Sequence, residues 1–188
     1  MKKSLDEVRA EFEAVNTGVQ KVCEGLVEAQ LSQRPAPNRW SMAEILVHLN
    51  LTTQSYLPMV DKAIAGSDRS GARGPFELGR MGSFYAWYME PPAKFRVPAP
   101  RMVRPLLQGP AGDALPQFLR SQAVLLQRLE SAEGLDCSKV KLTSPFSSLL
   151  RMNLISFFAV TAAHQRRHLA QAEGVRAAIA LGAKAQSI

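Results

Sequence analysis

The chain has 188 residues, of which 46% are hydrophobic and 21% charged, and its formal net charge is +7. That length and apolar content suffice for one sizeable core and predict one domain over 1–188. No apolar run approaches 18 residues, and the N-terminus MKKSLDEVRAEFE turns acidic and amphipathic where a secretory leader needs an apolar stretch, so neither a membrane span nor a leader is expected.

In chain order, Ser4-Leu5-Asp6-Glu7 has the Ser-x-x-Glu form in which hydroxyl and carboxylate cap each other's free amides, and it opens a first helix. Leu5, Val8, Phe12, Val15, Val19, Val22, Leu26 and Ala29 recur every three or four residues, giving one apolar stripe that ends before the prolines of Arg34-Pro35-Ala36-Pro37-Asn38. Ser41-Met42-Ala43-Glu44 is a second capping box, with Trp40 and Ile45 placed as a hydrophobic staple. The second helix runs through His48 to about Ala65, with a bend expected at Pro58. Residues 66–112 hold seven of the twelve prolines and seven of the twelve glycines, which predicts a long irregular insertion with one short helix or strand at Phe84 to Tyr88. Its six aromatics (Phe76, Phe84, Tyr85, Trp87, Tyr88, Phe95) are too apolar for a free linker, so it is expected to fold over the bundle, as a lid on the core or the lining of a pocket.

A third helix fits 114–133, with Leu115, Phe118, Leu119, Leu125, Leu126 and Leu129 on its apolar face. A fourth fits about 148–173, led by Leu149, Leu150, Leu154, Phe157, Phe158 and Val160, with Gly174 placed to stop it and a small-residue tail over 177–188. The expected fold is all-α, a four-helix bundle with a long Pro/Gly-rich insertion between its second and third helices. Cys23 and Cys137 are far apart and outside any motif, which argues against a disulfide scaffold and fits a reducing cytoplasm.

The three histidines of the chain are His48, His164 and His168. The last two stand at i, i+4 spacing, which puts both imidazoles on one helix face, one turn apart. Such a pair occurs as ordinary surface or core histidines, and equally as two ligands of a divalent ion that a third histidine would complete. Glu44 lies one turn before His48, but its capping position already gives it a structural use. Arg167 would flank the histidine face, to brace the bundle, pair with a carboxylate such as Glu44 or meet an anionic substrate, whereas Arg166 reads as plain surface. Gln171, Asn50 and Asn153 are candidates to hydrogen-bond the ring nitrogens that face away from a metal.

Residues 1–65 carry seven basic and eight acidic side chains, while 66–112 and 113–188 each carry four more basic than acidic. The positive excess therefore accompanies the insertion and the half with the histidine pair, and it favours an anionic ligand. The basic residues form no run or reading motif, so a nucleic-acid partner is not expected.

The stretch WSMAEILVHLN resembles the W-S-x-x-E-[apolar]-x-x-H-[apolar] segment on the second helix of the DinB superfamily, the DinB/YfiT-like metalloenzymes, and AAHQRRHLAQA resembles that family's H-x-x-[basic]-H-x-x-Q segment. The two motifs cover about 25 residues and, with the helical patterns between them, extend the similarity more loosely over roughly 5–173. The resemblance implies a four-helix bundle with a metal, commonly nickel or zinc, on positions that match His48, His164 and His168. It further implies metal-dependent hydrolases and transferases that use low-molecular-weight thiols such as bacillithiol or mycothiol. Two expectations follow: an enzyme directing a metal-activated nucleophile at an electrophilic small molecule, or a non-catalytic bundle that binds metal or pairs as a homodimer through its exposed helix faces. No general base accompanies the histidines to decide between them.

Overall fold

Reciprocal caps start two of the long helices. In the computed structural model, which describes residues 1–95 and 98–185 with side chains of the last helix through 181, Ser4 Oγ accepts from the Glu7 amide at 3.1 Å while the Glu7 carboxylate accepts from the Ser4 amide at 2.6 Å. They open α1 (Leu5–Cys23). The helix stops short of the expected Ala29 because Gly25 takes a positive φ of 72°, and a separate short helix, α2 (Glu28–Ser32), follows. Ser41 and Glu44 cap α3 (Met42–Ala65) in the same way, and α3 continues helically past Pro58.

The insertion is more regular than its prolines and glycines suggest. Phe76–Glu77 (β2) pairs antiparallel with Lys2–Lys3 (β1), and Gly79–Met89 forms an eleven-residue helix, α4, packed along the last helix. Two 3₁₀ turns follow, at Arg101–Val103 and Ala111–Asp113. The third bundle helix, α5, spans Ala114–Ser131 as expected.

The fourth expected helix needs the largest correction. Residues Lys141–Ser144 (β3) and Ser147–Asn153 (β4) form an antiparallel hairpin, so Leu149 and Leu150 are strand residues, and Leu149 is 89% exposed. The last helix, α6, starts only at Leu154, where Asn153 Oδ1 accepts the Ser156 amide at 3.0 Å. Gly174 does not stop it. The helix runs to Ala185 and takes in most of the supposed tail, whose residues 186–188 lie outside the described residues. A glycine inside a helix costs about 1 kcal/mol, which flanking alanines and the buried Val175 and Ile179 outweigh.

The bundle is therefore α1, α3, α5 and α6: α1 packs on α5 and α6, and so does α3, which places α1 and α3 on a diagonal. The core falls into two apolar clusters. One gathers Val8, Phe12, Val60, Leu125, Leu129, Phe157 and Phe158; the other gathers Val15, Val19, Ile45, Leu46, Leu49, Phe118, Ala172 and Val175. On α3, α5 and α6 an amide side chain lies at or next to the boundary between them, Asn50, Gln122 and Gln165, and on α1 the half-buried Asn16 follows Val15, the first residue of the second cluster. Asn50, Gln122 and Gln165 are buried with neither amide atom hydrogen-bonded to the protein. Among the described residues no helix is long and apolar enough to cross a membrane. Both cysteines are free and buried, and burial pushes their thiols up to about 11 for Cys23 and about 12 for Cys137, which leaves them protonated and inert.

Candidate metal centre

His48 sits in the second turn of α3, and His164 and His168 sit near the middle of α6, because that helix extends so far past them. The three rings meet on the α3–α6 seam, in the second turn of α3 and so toward one end of that helix. His48 Nε2 lies 3.4 Å from His164 Nε2, and His168 Nε2 lies 3.1 Å from the same atom. The ligand nitrogens of all three fall within 4.8 Å of one another, and no carboxylate or thiol joins them among the described residues.

Hydrogen bonds on the far side of two rings fix which nitrogen is bare. His48 Nδ1 is 2.7 Å from the carbonyl oxygen of Val103. A carbonyl can only accept, so Nδ1 carries the proton and Nε2 presents a lone pair. His168 Nδ1 donates in the same manner to Gln171 Oε1 at 2.9 Å. Two lone pairs thus point at His164 Nε2, which has at most one proton to give. One close nitrogen–nitrogen contact has no hydrogen to bridge it, and a single shared cation would satisfy all three. Imidazole nitrogens held about 2.0–2.1 Å from one tetrahedral zinc stand roughly 3.3 Å apart; two of the three separations match this and the third pair lies within 4.8 Å, so a small shift of one ring completes the donor set.

The electrostatics keep the rings neutral. Burial lowers the pKa of His48, partly opposed by the Val103 hydrogen bond. His168 falls to about 3 through burial and the nearby His48, against the pull of Gln171, and His164 drops well below its ordinary value through burial and its two neighbours. A neutral imidazole is the form that binds metal. Trp40, placed by the sequence as a staple, also packs against the site, with its ring 4.8 Å from His48 and stacked 6.0 Å from His168.

The other candidates separate cleanly. Gln171 takes the supporting position expected of it. Glu44 is the cap, and its buried carboxylate is also held by Arg34 in a two-pronged ion pair, one prong at 2.8 Å. Burial alone would raise the Glu44 pKa, but the Arg34 and Ser41 hydrogen bonds outweigh it and the pKa is lowered. Arg167 does not reach Glu44; it donates to the backbone carbonyls of Tyr88 and Phe95 and ties the insertion to α6. Arg166 is not plain surface, because α4 and α1 both pack on α6 there, and it pairs with Glu90 and with Glu11 at 3.0 Å. Asn153 caps α6, and Asn50 makes no hydrogen bond with the site. Sequence reasoning missed the Val103 carbonyl altogether, since a backbone oxygen 55 residues away leaves no side-chain signal.

The triad lines a cleft of ≈ 1090 Å³ whose walls include Trp40, Tyr88, Pro92, Pro100, Arg39 and Arg167. The insertion supplies much of this wall, as its aromatic content suggested, though Phe84 and Trp87 turn outward and are 52% exposed. No aspartate or glutamate lines the cleft among the described residues.

No curated protein matches the chain in sequence. Among solved structures, the chain is similar to YfiT from Bacillus subtilis, described as a probable metal-dependent hydrolase with an unusual four-helix bundle topology. The TM-score is 0.56 over 91% of this chain and 85% of that one, at 13% identity, a likeness of fold. The sequence profile of the DinB superfamily matches residues 4–172, a span that takes in both capping boxes and all three histidines, and on that match the chain belongs to the DinB superfamily.

Proposed function

We propose that the protein is a metal-dependent enzyme acting on an electrophilic small molecule, with one divalent ion, zinc or nickel, held by His48, His164 and His168. We propose further that it works as a hydrolase or as a transferase using a low-molecular-weight thiol. The observation that carries this reading is the pair of imidazole lone pairs aimed at a third ring inside a large cleft. The description of YfiT as a metal-dependent hydrolase supports the hydrolytic arm. When bound, the ion supplies Lewis acidity, which makes a water or thiol a stronger nucleophile near neutral pH. The protein's own residues prepare the place. Val103 and Gln171 lock two tautomers, burial holds the three rings neutral, and Trp40 shields them on one side. Arg39 and Arg167 give the cleft a positive lining that suits an anionic portion of the substrate.

The test starts with metal content of the purified protein and zinc titration of the wild type and of single His→Ala variants. One ion per chain is expected, with weak residual binding in His48→Ala and near-background occupancy in His164→Ala or His168→Ala. Consumption of an added thiol in the presence of a broad electrophile then separates transfer from hydrolysis. A wild-type protein that stays metal-free after exposure to zinc and nickel at neutral pH overturns the reading. Metal without turnover would instead favour the non-catalytic bundle.

A further inference from the structure

Helix α4 lies outside the four-helix bundle, and the fold uses one of its faces. Its buried residues, Gly82 and Ala86, belong to the side packed on α6, where Gly82 meets Ser156. The opposite side carries Arg80, Phe84 and Trp87 at i, i+4, i+7 spacing, with Met81 beside them. The apolar side chains there form one surface. The Phe84 ring centre lies 5.9 Å from that of Trp87 and 6.0 Å from that of Tyr88, and Tyr88 stacks at 6.0 Å on Phe95, beyond the end of the helix. Phe84 and Trp87 are half exposed, Met81 is 51% exposed and Phe95 63%. A contiguous exposed patch of this kind marks a contact site. The charges around it select the occupant. Lys94 holds its ammonium 4.9 Å from the centre of the Trp87 ring, and Arg80 stands one turn before Phe84. No ion pair engages either cation among the described residues. Helix α4 has no acidic residue, and the carboxylates on either side of it are taken, Glu77 by Lys2 at 3.5 Å and Glu90 by Arg166. Two copies of the chain joined through this face would set its cations against each other with no carboxylate to receive them.

We infer that this face of α4, continued by Lys94 and Phe95, docks the protein on a bilayer that carries anionic headgroups. Met81, Phe84, Trp87 and Phe95 enter the headgroup layer, and Arg80 and Lys94 meet its negative charge. An outer helix face of aromatic rings edged with cations suits that boundary, because such side chains keep an apolar body in the lipid and a polar end in water. The contact is peripheral and needs no helix able to cross the membrane. Tyr88 belongs both to the patch and to the wall of the histidine cleft, so docking brings that wall to the lipid surface. The contact owes nothing to metal at the histidines, so its test stands whatever becomes of the metal reading.

The probes are vesicles of phosphatidylcholine alone and of phosphatidylcholine with about a third phosphatidylglycerol, mixed with the full chain and read by co-sedimentation. Saturable binding to the anionic vesicles is expected, far weaker on phosphatidylcholine alone and reversed by salt at about 0.5 M. Brominated lipid should quench Trp87 in a Trp40→Phe background, which removes the other tryptophan. The double variant Phe84→Ser/Trp87→Ser should bind at least about tenfold more weakly, and Arg80→Glu about tenfold more weakly. Leu149→Ser changes an exposed leucine on β4, outside the patch, and should bind as the wild type does. Arg80→Glu disturbs no contact of the fold and keeps the test in force if the double variant folds poorly. Absence of binding to the anionic vesicles overturns the inference. So does unchanged binding in both patch variants, which would leave net charge alone as the cause, and so does a Trp87 that brominated lipid fails to quench in the bound protein. A self-association that the double variant abolishes would give the face to a second copy and overturn it as well.

Discussion

The proton on His48 is placed by one backbone oxygen, that of Val103, and the proton on His168 by one side chain, Gln171. Gln171→Leu should therefore leave the bundle folded yet lower zinc affinity by roughly 10–100-fold, read by competition with a chelating dye. Glu44→Gln makes the contrast. Glutamine can still accept the Ser41 amide but loses its charge against Arg34, so stability should fall by only about 1 kcal/mol and metal occupancy should not change. The three imidazoles also set a pH dependence for the metal-free protein. Their folded-state pKa values lie below the unfolded value of about 6.5, so the unfolded chain binds more protons as pH drops. Stability should be full above about pH 6.5 and decline steadily as pH falls toward the folded value of about 3 for His168. Denaturant midpoints between pH 7 and pH 4 would show this, and a triple His→Gln variant should flatten the histidine share of the slope. The i, i+4 pair, joined to His48 by the resemblance of the two histidine motifs to one family, made the histidine cluster legible in the sequence. What held those rings in place was visible only where a side chain of fixed spacing did it, as with Gln171, and not where a distant carbonyl did.

Among the elements, α6 departs furthest from what periodicity alone suggests. Leu150, Leu154, Phe157 and Phe158 continue a helical spacing backwards, which hides the two-residue alternation of Leu142, Ser144 and Met152 that marks the hairpin. Ser144-Pro145-Phe146 was the turn signal between its strands. At the other end, Gly174 looks like a stop in the sequence, yet its place in the helix leaves open space where a Cβ would stand. Gly174→Ala should accordingly raise stability by about 0.5–1 kcal/mol, checked by thermal unfolding. Gly82 behaves oppositely. A Cβ there would come within 2.5 Å of Ser156 Cβ, so Gly82→Ala must push α4 off α6 and should destabilise by about 1–3 kcal/mol. Since Arg167 and Tyr88 bind this same α4 edge to the cleft wall, the variant should also disturb the cleft, seen as altered Trp40 fluorescence in a Trp87→Phe background, because Trp87 lies on α4 itself.

For the whole molecule, the four-helix arrangement followed from the apolar stripes, whereas the division of the core did not. A stripe records which residues face inward but says nothing about where along the axis that interior turns polar. The layer of Asn16, Asn50, Gln122 and Gln165 does this, interrupting apolar contact between Phe12, Leu125 and Phe158 on one side and Val15, Phe118 and Ala172 on the other. Cooperativity in a folded domain is transmitted by continuous packing, and contiguous blocks can open with separate free energies. Native-state hydrogen exchange should resolve two such blocks, with amides near Leu125 and Phe158 closing as one set and those near Leu46 and Phe118 as another. Gln122→Leu, which bridges the gap with apolar bulk, should draw the two opening energies together. The bundle would then melt as one unit where the native chain yields in halves, and the half bearing His48 would lose the freedom to loosen around its ligands by itself.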